Sequence, residues 1–108
     1  LPADALFTPG QAELKSADLL SEVLDQLVKY SGATVSIRSH SDNQVDAIAA
    51  RDYTLAQAHT LARYLARTLP DEYRWIHVGM GQSEPAVHID DAVALQNNRR
   101  IEFLVVVR

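Results

Sequence analysis

The 108-residue chain contains no cysteine. That excludes a disulfide framework, thiol catalysis and any Cys-ligated zinc or iron centre, and it leaves the redox compartment open. No segment approaches the ~18 consecutive apolar residues of a membrane span. Positive charge is the minority, with 10 Lys and Arg against 14 Asp and Glu and a formal net charge of -4. A general nucleic-acid binder needs a basic stripe to displace counterions, so that class is excluded as well. The chain carries no signal peptide and starts at Leu1 without a methionine; it is expected to be an excised domain or processed product whose anchor has been removed. Glycine and proline are few, at four each, so each one present marks a boundary. What remains is 47% hydrophobic and 22% charged, the composition of one globular domain. A chain of this length buries roughly 65% of its unfolded surface, enough to fold without metal or disulfide staples.

Periodicity divides the chain into alternating strands and helices. Pro2, Pro9 and Gly10 bracket Ala5, Leu6 and Phe7, a short apolar run that predicts an edge strand. From Ala12 to Tyr30 the pattern is helical: Leu20, Val23, Leu24, Leu27 and Val28 recur at spacings of three and four, with a stop at Ser31 and Gly32. Ala33 to Ser39 alternates, Val35 and Ile37 on one side and Thr34, Ser36 and Arg38 on the other, the period of a half-buried strand. A polar stretch from His40 to Asp52 precedes a second helix from about Tyr53 to Thr68. Its Thr54 and Gln57 have the spacing of a capping box, and Pro70 closes it. Trp75 to Met80 predicts a third strand, with a turn or bulge marked by Gly79, Gly81 and Pro85. Asp90 to Gln96 predicts a short helix with acidic residues in its first turn. Ile101 to Val107 is apolar on both faces apart from Glu102, as a central strand covered on both sides would be.

Two segments carry more than periodicity. One strand ends in Ser39, His40, Ser41 and Asp42; ten residues later, after Asn43 to Asp52, a helix opens with Tyr53 and Thr54 and continues through Gln57, Ala58 and Leu61. This resembles the signature of the OmpA-like C-terminal domain, a peptidoglycan-associating module: a strand ending G-H-T-D, ten residues, then L-S-x-x-R-A-x-x-V. Gly79 to Pro85 is similar to that family's G-x-G-x-x-x-P turn, and Asn98 to Glu102 to the N-R-R-V-E that leads into its final strand. Phe7 and Leu14 fall where the family places its first strand and the start of its first helix. The pieces stand in order from about Leu6 to Val107, nearly the whole chain.

The resemblance implies an α+β fold, a two-layer β-α-β-α-β-(α)-β sandwich with helices packed on one face of a mixed four-stranded sheet. Residues 1–108 would form a single such domain, its core about 6–107, excised from a larger anchored envelope protein. The resemblance also implies a non-catalytic module without cofactor or metal, working in the periplasm of a diderm bacterium with peptidoglycan as its partner. In the family the Asp of H-T-D, the Arg of L-S-x-x-R-A and an Asn three residues before that L hold the diaminopimelate unit of the stem peptide. A zwitterionic amino-acid end needs an anionic acceptor for its ammonium and a cationic fork for its carboxylate. Asp42 keeps the first role, while Gln57 stands in place of the Arg, Ala50 in place of the Asn and Ser39 in place of the glycine. A bidentate Arg–carboxylate contact is worth roughly 1.5–3 kcal/mol and a neutral amide about half that, so the exchange implies about a tenfold or greater loss of affinity. Arg51, beside Ala50, and Arg100 are the cations left to line the pocket. The ligand-binding set implied is Asp42, Gln57, Arg51 and Arg100.

Each of these residues also has a structural reading. Gln57 can be the N3 partner of Thr54 in the capping box, Asp42 a turn former just past a strand end, and Arg99 and Arg100 can hydrogen-bond loop carbonyls or pair with surface carboxylates. His40 with Asp42, and His88 with Asp90, lie two apart, but two ligands do not make a metal site. Ser39, His40, Ser41 and Asp42 include the residue types of a hydrolase triad, yet neighbours in an extended strand alternate faces and cannot line up nucleophile, base and orienter. Gly79 and Gly81 lack the further glycine and lysine of a phosphate loop. Two functions compete. One is a wall-binding module that grips the stem peptide around Asp42 with weakened or altered affinity. The other is a structural module of a multiprotein envelope machine, such as a type IV or type VI secretion apparatus, that no longer binds peptidoglycan. Neither involves nucleic acid or direct membrane insertion by this domain.

Overall fold

Alternation in one short strand sets the layering of the molecule. In the computed structural model, which describes residues 1–85 and 92–107, strand β1 (Thr34–His40) is the middle of a three-stranded sheet. It pairs in parallel with β2 (Arg74–Gly81) and antiparallel with β3 (Arg100–Val106). Val35 and Ile37 are fully buried in a core shared with Leu20 and Leu27 of helix α1 (Leu20–Leu27) and with Ala58, Leu61, Ala62 and Leu65 of helix α2 (Ala47–Thr68). The pairing register puts Trp75, His77 and Gly79 of β2, and Ile101, Phe103 and Val105 of β3, on that same helix-covered face. A third helix, α3 (Ala92–Asn98), leads into β3.

The α+β class and the mixed sheet are as expected, but there are three strands among the described residues and not four. Ala5, Leu6 and Phe7 do not form an edge strand. Leu1 and Ile101 exchange backbone hydrogen bonds, and Pro2 bridges Arg100, but the pairing stops where Ala3–Ala5 closes into a 3-10 turn. Leu6 and Phe7 are both buried in the core. A strand would point neighbours to opposite faces and leave one of them in water; the turn lets both enter the core.

The first helix is shorter than its predicted span and the second longer. Residues from Ala12 to Leu19 are not helical, because the backbone carbonyls of Gln11 and Ala12 accept hydrogen bonds from Gln57 and Thr60 of α2, and Leu14 bridges Phe7. α2 begins at Ala47, six residues before the expected Tyr53. Asp46 caps it, its Oδ1 accepting from the Ala49 N–H at 2.9 Å, so Thr54 and Gln57 lie inside the helix and form no capping box. Their place in the stripe Ala50, Thr54, Gln57, Ala58, Leu61 turns both inward, and both are buried. Thr54 Oγ1 donates to the Ala50 carbonyl at 2.7 Å and accepts from the Gly81 N–H at 3.1 Å.

Small residues let α2 lie close on β2. A Cβ on Gly79 would come 2.7 Å from the Arg51 carbonyl oxygen. Next to it the pairing passes from Ser39–Gly79 to His40–Gly81 and leaves Met80 of β2 as an extra residue, in the segment expected to hold a turn or bulge, and Gly81 takes a positive φ of 55° that glycine adopts without strain. β3 departs from expectation. It lies at one side of the sheet, and only one of its faces is covered. Ile76, Leu104 and Val106 on the other face are 47%, 49% and 58% exposed.

Candidate functional site

Just past the end of β1, Ser41 and Asp42 are both buried, and the Ser41 N–H donates to the Gly81 carbonyl at 2.8 Å. Asp42 Oδ1 accepts from the Gln44 N–H at 3.0 Å, the turn-forming role read from sequence. Its Oδ2 takes the Nη1 of Arg99. The same guanidinium forks onto a second carboxylate: Nε to Asp4 Oδ1 and Nη2 to Asp4 Oδ2, each at 2.9 Å. One cation therefore joins the N-terminal turn, the end of β1 and the approach to β3. The side chains of Asp42, Arg99 and Asp4 are 9%, 19% and 24% exposed, so the cluster opens to solvent on the Asp4 side. Hydrogen bonds donated to the two carboxylates, Asp4 foremost, hold Arg99 more firmly protonated than a free arginine.

Gln57 lies beside this cluster and is spent internally. Its Oε1 accepts from Ser39 Oγ at 2.7 Å and its Nε2 donates to the Gln11 carbonyl at 2.8 Å. Gln57, Arg99, Asp4, Tyr53, Phe7 and His40 line a crevice too narrow to hold a water molecule. Burial raises the pKa of the Tyr53 phenol, with a smaller opposing effect from its hydrogen bond to Ser41.

The four residues implied by the family resemblance are not brought together. Asp42 meets the crevice through Arg99, and Gln57 lines it. Arg51 is exposed and lines a separate cleft of about 400 Å³ with Ile48, Met80 and Gln82. Arg100 borders an open cleft of about 430 Å³ shared with Arg99, Gln96 and Asn97; its Nη2 donates to the Glu84 carbonyl at 2.8 Å, and Glu102 lies 3.8 Å away. His40 is buried with its Nε2 against the Glu102 carboxylate, and its Nδ1 has no hydrogen-bond partner. Burial, and after it the charge of Arg100, lower its pKa from the usual histidine value. Among the described residues no group of three or more His, Asp or Glu is placed to hold a metal ion; His88 and Asp90 lie outside them.

Sequence reading passed over Asp4, which stands between Pro2 and Ala5 with no local pattern around it. Arg99 was visible in the N-R-R stretch, though only as a partner of loop carbonyls or surface carboxylates. The separation of Asp4 from Arg99, 95 positions, is what hides the pair.

No family model matches the sequence, and comparison with curated proteins finds no match. Solved structures do match. The cell wall anchor of the T6SS from Pseudomonas aeruginosa superposes with a TM-score of 0.79 at 24% identity, over 99% of this chain and 78% of that one. A putative MotB-like protein from Desulfovibrio vulgaris gives 0.82 at 20% identity, over 100% and 73%. The peptidoglycan-associated lipoprotein from Burkholderia pseudomallei gives 0.75 at 15% identity, over 94% and 87%. At these identities the likeness is one of fold, and the fold is the OmpA-like one that the motifs resemble. No helix among the described residues is long and apolar enough to cross a membrane.

Proposed function

We propose that this is a non-catalytic domain of the periplasm of a diderm bacterium that associates with peptidoglycan through the cluster at Asp42, Arg99 and Gln57. The observation that carries the reading is the position of Asp42. It is the one ligand-holding residue of the OmpA-like signature retained at its motif position, and it sits at the β1 end with a carboxylate held by Arg99 rather than lost to the surface. The named neighbours in fold, a cell wall anchor and a peptidoglycan-associated lipoprotein among them, support it. Affinity is weaker than in domains with the full signature, because Gln57 and Arg99 are both satisfied within the chain and offer no free fork to a carboxylate. Co-sedimentation with purified sacculi tests this: the domain should pellet, and Asp42→Asn should leave it in the supernatant. Failure of the unmodified domain to pellet above a non-binding control protein would overturn the proposal.

A second reading has its own observation. Ile76, Leu104 and Val106 form an uncovered apolar stripe on the sheet face opposite the helices, the kind of surface that packs against other envelope or secretion-system proteins. Under that reading the domain is an assembly module, Asp42→Asn leaves complex formation unchanged, and Leu104→Asp disrupts it.

A further inference from the structure

We infer that the open face of the sheet seats an acidic amphipathic helix of a partner protein, laid along β1 with its apolar side down and its carboxylates against Arg38 and Arg74. This inference rests on the assembly reading above and names the partner's chemistry.

Side-chain size makes that face a groove. Thr34 and Ser36 of β1 are short and form its floor. The register places Ile76 and Val78 of β2 along one side and Leu104 and Val106 of β3 along the other. β2 and β3 flank β1, so the walls stand about 10 Å apart, the width of a helix with its side chains. β1 and β2 run parallel, a pairing ordinarily covered on both faces, yet α1 and α2 pack on the other face alone. A helix fits here and an extended segment does not. The backbone N–H and C=O groups of β1 are spent within the sheet on both sides, so the face offers none to a strand, whereas a helix satisfies its own.

Charge decides which helix. The chain carries a net charge of -4, yet this face has a surplus of arginine. Arg38 stands in the row Val78, Arg38, Glu102, and Arg74 in the row Arg74, Thr34, Val106. Glu102, the carboxylate of these rows, is already against His40 and 3.8 Å from Arg100. Neither the Arg38 nor the Arg74 guanidinium makes a hydrogen bond or ion pair among the described residues, and Arg38 Nε is buried without a partner. A purely apolar cover would strand Arg38 in a dry site, a cost that a carboxylate from the partner removes. A second copy of the same face would bring four unanswered arginines together and is disfavoured. The two arginines lie about 13 Å apart along the strand direction. Carboxylates seven positions apart on one side of a helix, about 10 Å in rise, meet both through the length of the arginine side chains.

The test uses three labelled synthetic helical peptides that share one leucine stripe and carry Glu, Gln or Lys two turns apart beside it. Fluorescence anisotropy with the full chain reads their affinities. The Glu peptide should bind about tenfold more tightly than the Gln peptide, and the Lys peptide most weakly. Arg38→Gln and Arg74→Gln should each cost the Glu peptide about threefold and leave the Gln peptide unchanged. Leu104→Asp should abolish binding of all three; each variant is checked for folding by its thermal melt. Equal binding of the Glu and Gln peptides, no binding of the Glu peptide, or arginine variants without effect would each overturn the acidic class, and the assembly reading stands if Leu104→Asp still disrupts complex formation. Glu-peptide binding that survives Leu104→Asp overturns the groove, and if complex formation survives it too, both fall. A dimer in sedimentation equilibrium that Leu104→Asp dissolves, or flotation on phosphatidylglycerol vesicles that it abolishes, would give the face to a second copy or to a lipid surface and overturn the helix.

Discussion

Arg99 and Asp42, 57 positions apart in the chain, meet guanidinium to carboxylate, and the same guanidinium forks onto Asp4. The loop after β1 and the N-terminal turn are thereby tied to the approach to β3.

Arg99→Met should unmask that tie. Two carboxylates would remain together without a cation, and because Asp4 is partly open to solvent while Asp42 is buried the expected loss is about 2 kcal/mol, less than the full cost of orphaning a buried ion. Urea unfolding gives the number. Asp4→Asn, which keeps the shape and removes one of the opposed charges, should cost less than half as much; equal losses would mean the cluster acts by packing alone.

Gly79→Ala tests the close approach of α2 to β2. The added Cβ would meet the backbone of Arg51 and Leu55, which cannot step aside as a flexible side chain can. Overpacking of this kind costs about 2–3 kcal/mol. A thermal melt within a degree or two of the unmodified domain would show that the helix is not held where it is by that glycine.

Gln57→Arg would restore the residue of the OmpA-like signature, yet it should not restore affinity. The Ser39 hydroxyl would lose its acceptor, and a second guanidinium would share a narrow crevice with Arg99. We expect about 1–3 kcal/mol of lost stability and a change in peptide affinity of less than about threefold. A tenfold gain would show instead that the missing arginine is the sole defect of the site.

Stability should fall on mild acidification because of His40. Burial, followed by the charge of Arg100, holds its folded pKa below the usual 6.5, and the nearby Glu102 offsets this only in part. The unfolded chain binds a proton near pH 6.5 while the folded chain resists it, so this contribution is fully present above pH 6.5 and is lost as pH drops toward the folded value. The urea midpoint should therefore decline between pH 7 and pH 5, and His40→Gln should flatten that decline. An equal slope in both proteins would assign the acid sensitivity to other groups.

Local periodicity made β1 legible, since the alternation of Val35 and Ile37 with Thr34, Ser36 and Arg38 encodes a buried and an open face without reference to the rest of the chain. The same holds for the inward stripe of α2 from Ala58 to Leu65, and the ordered motifs from Ser39 to Glu102 pointed to the fold. The start of α2 was misplaced because the Thr54 and Gln57 spacing drew the boundary to Tyr53, whereas the cap in use is Asp46. The outcome depended on Thr54 and Gln57 finding partners in Gly81, Ser39 and Gln11.

Composition and pattern by themselves determined a small domain of alternating strands and helices with a carboxylate, Asp42, just past the end of a half-buried strand; the α+β class came from the family resemblance. Tertiary structure decided the rest: that the N-terminal run is a turn and not a strand, because two adjacent core residues had to point the same way, and that the cation beside Asp42 is Arg99, already shared with Asp4. A period of two or 3.6 residues records which way a side chain faces. Which charge it meets across 57 or 95 positions is set only when the chain closes on itself.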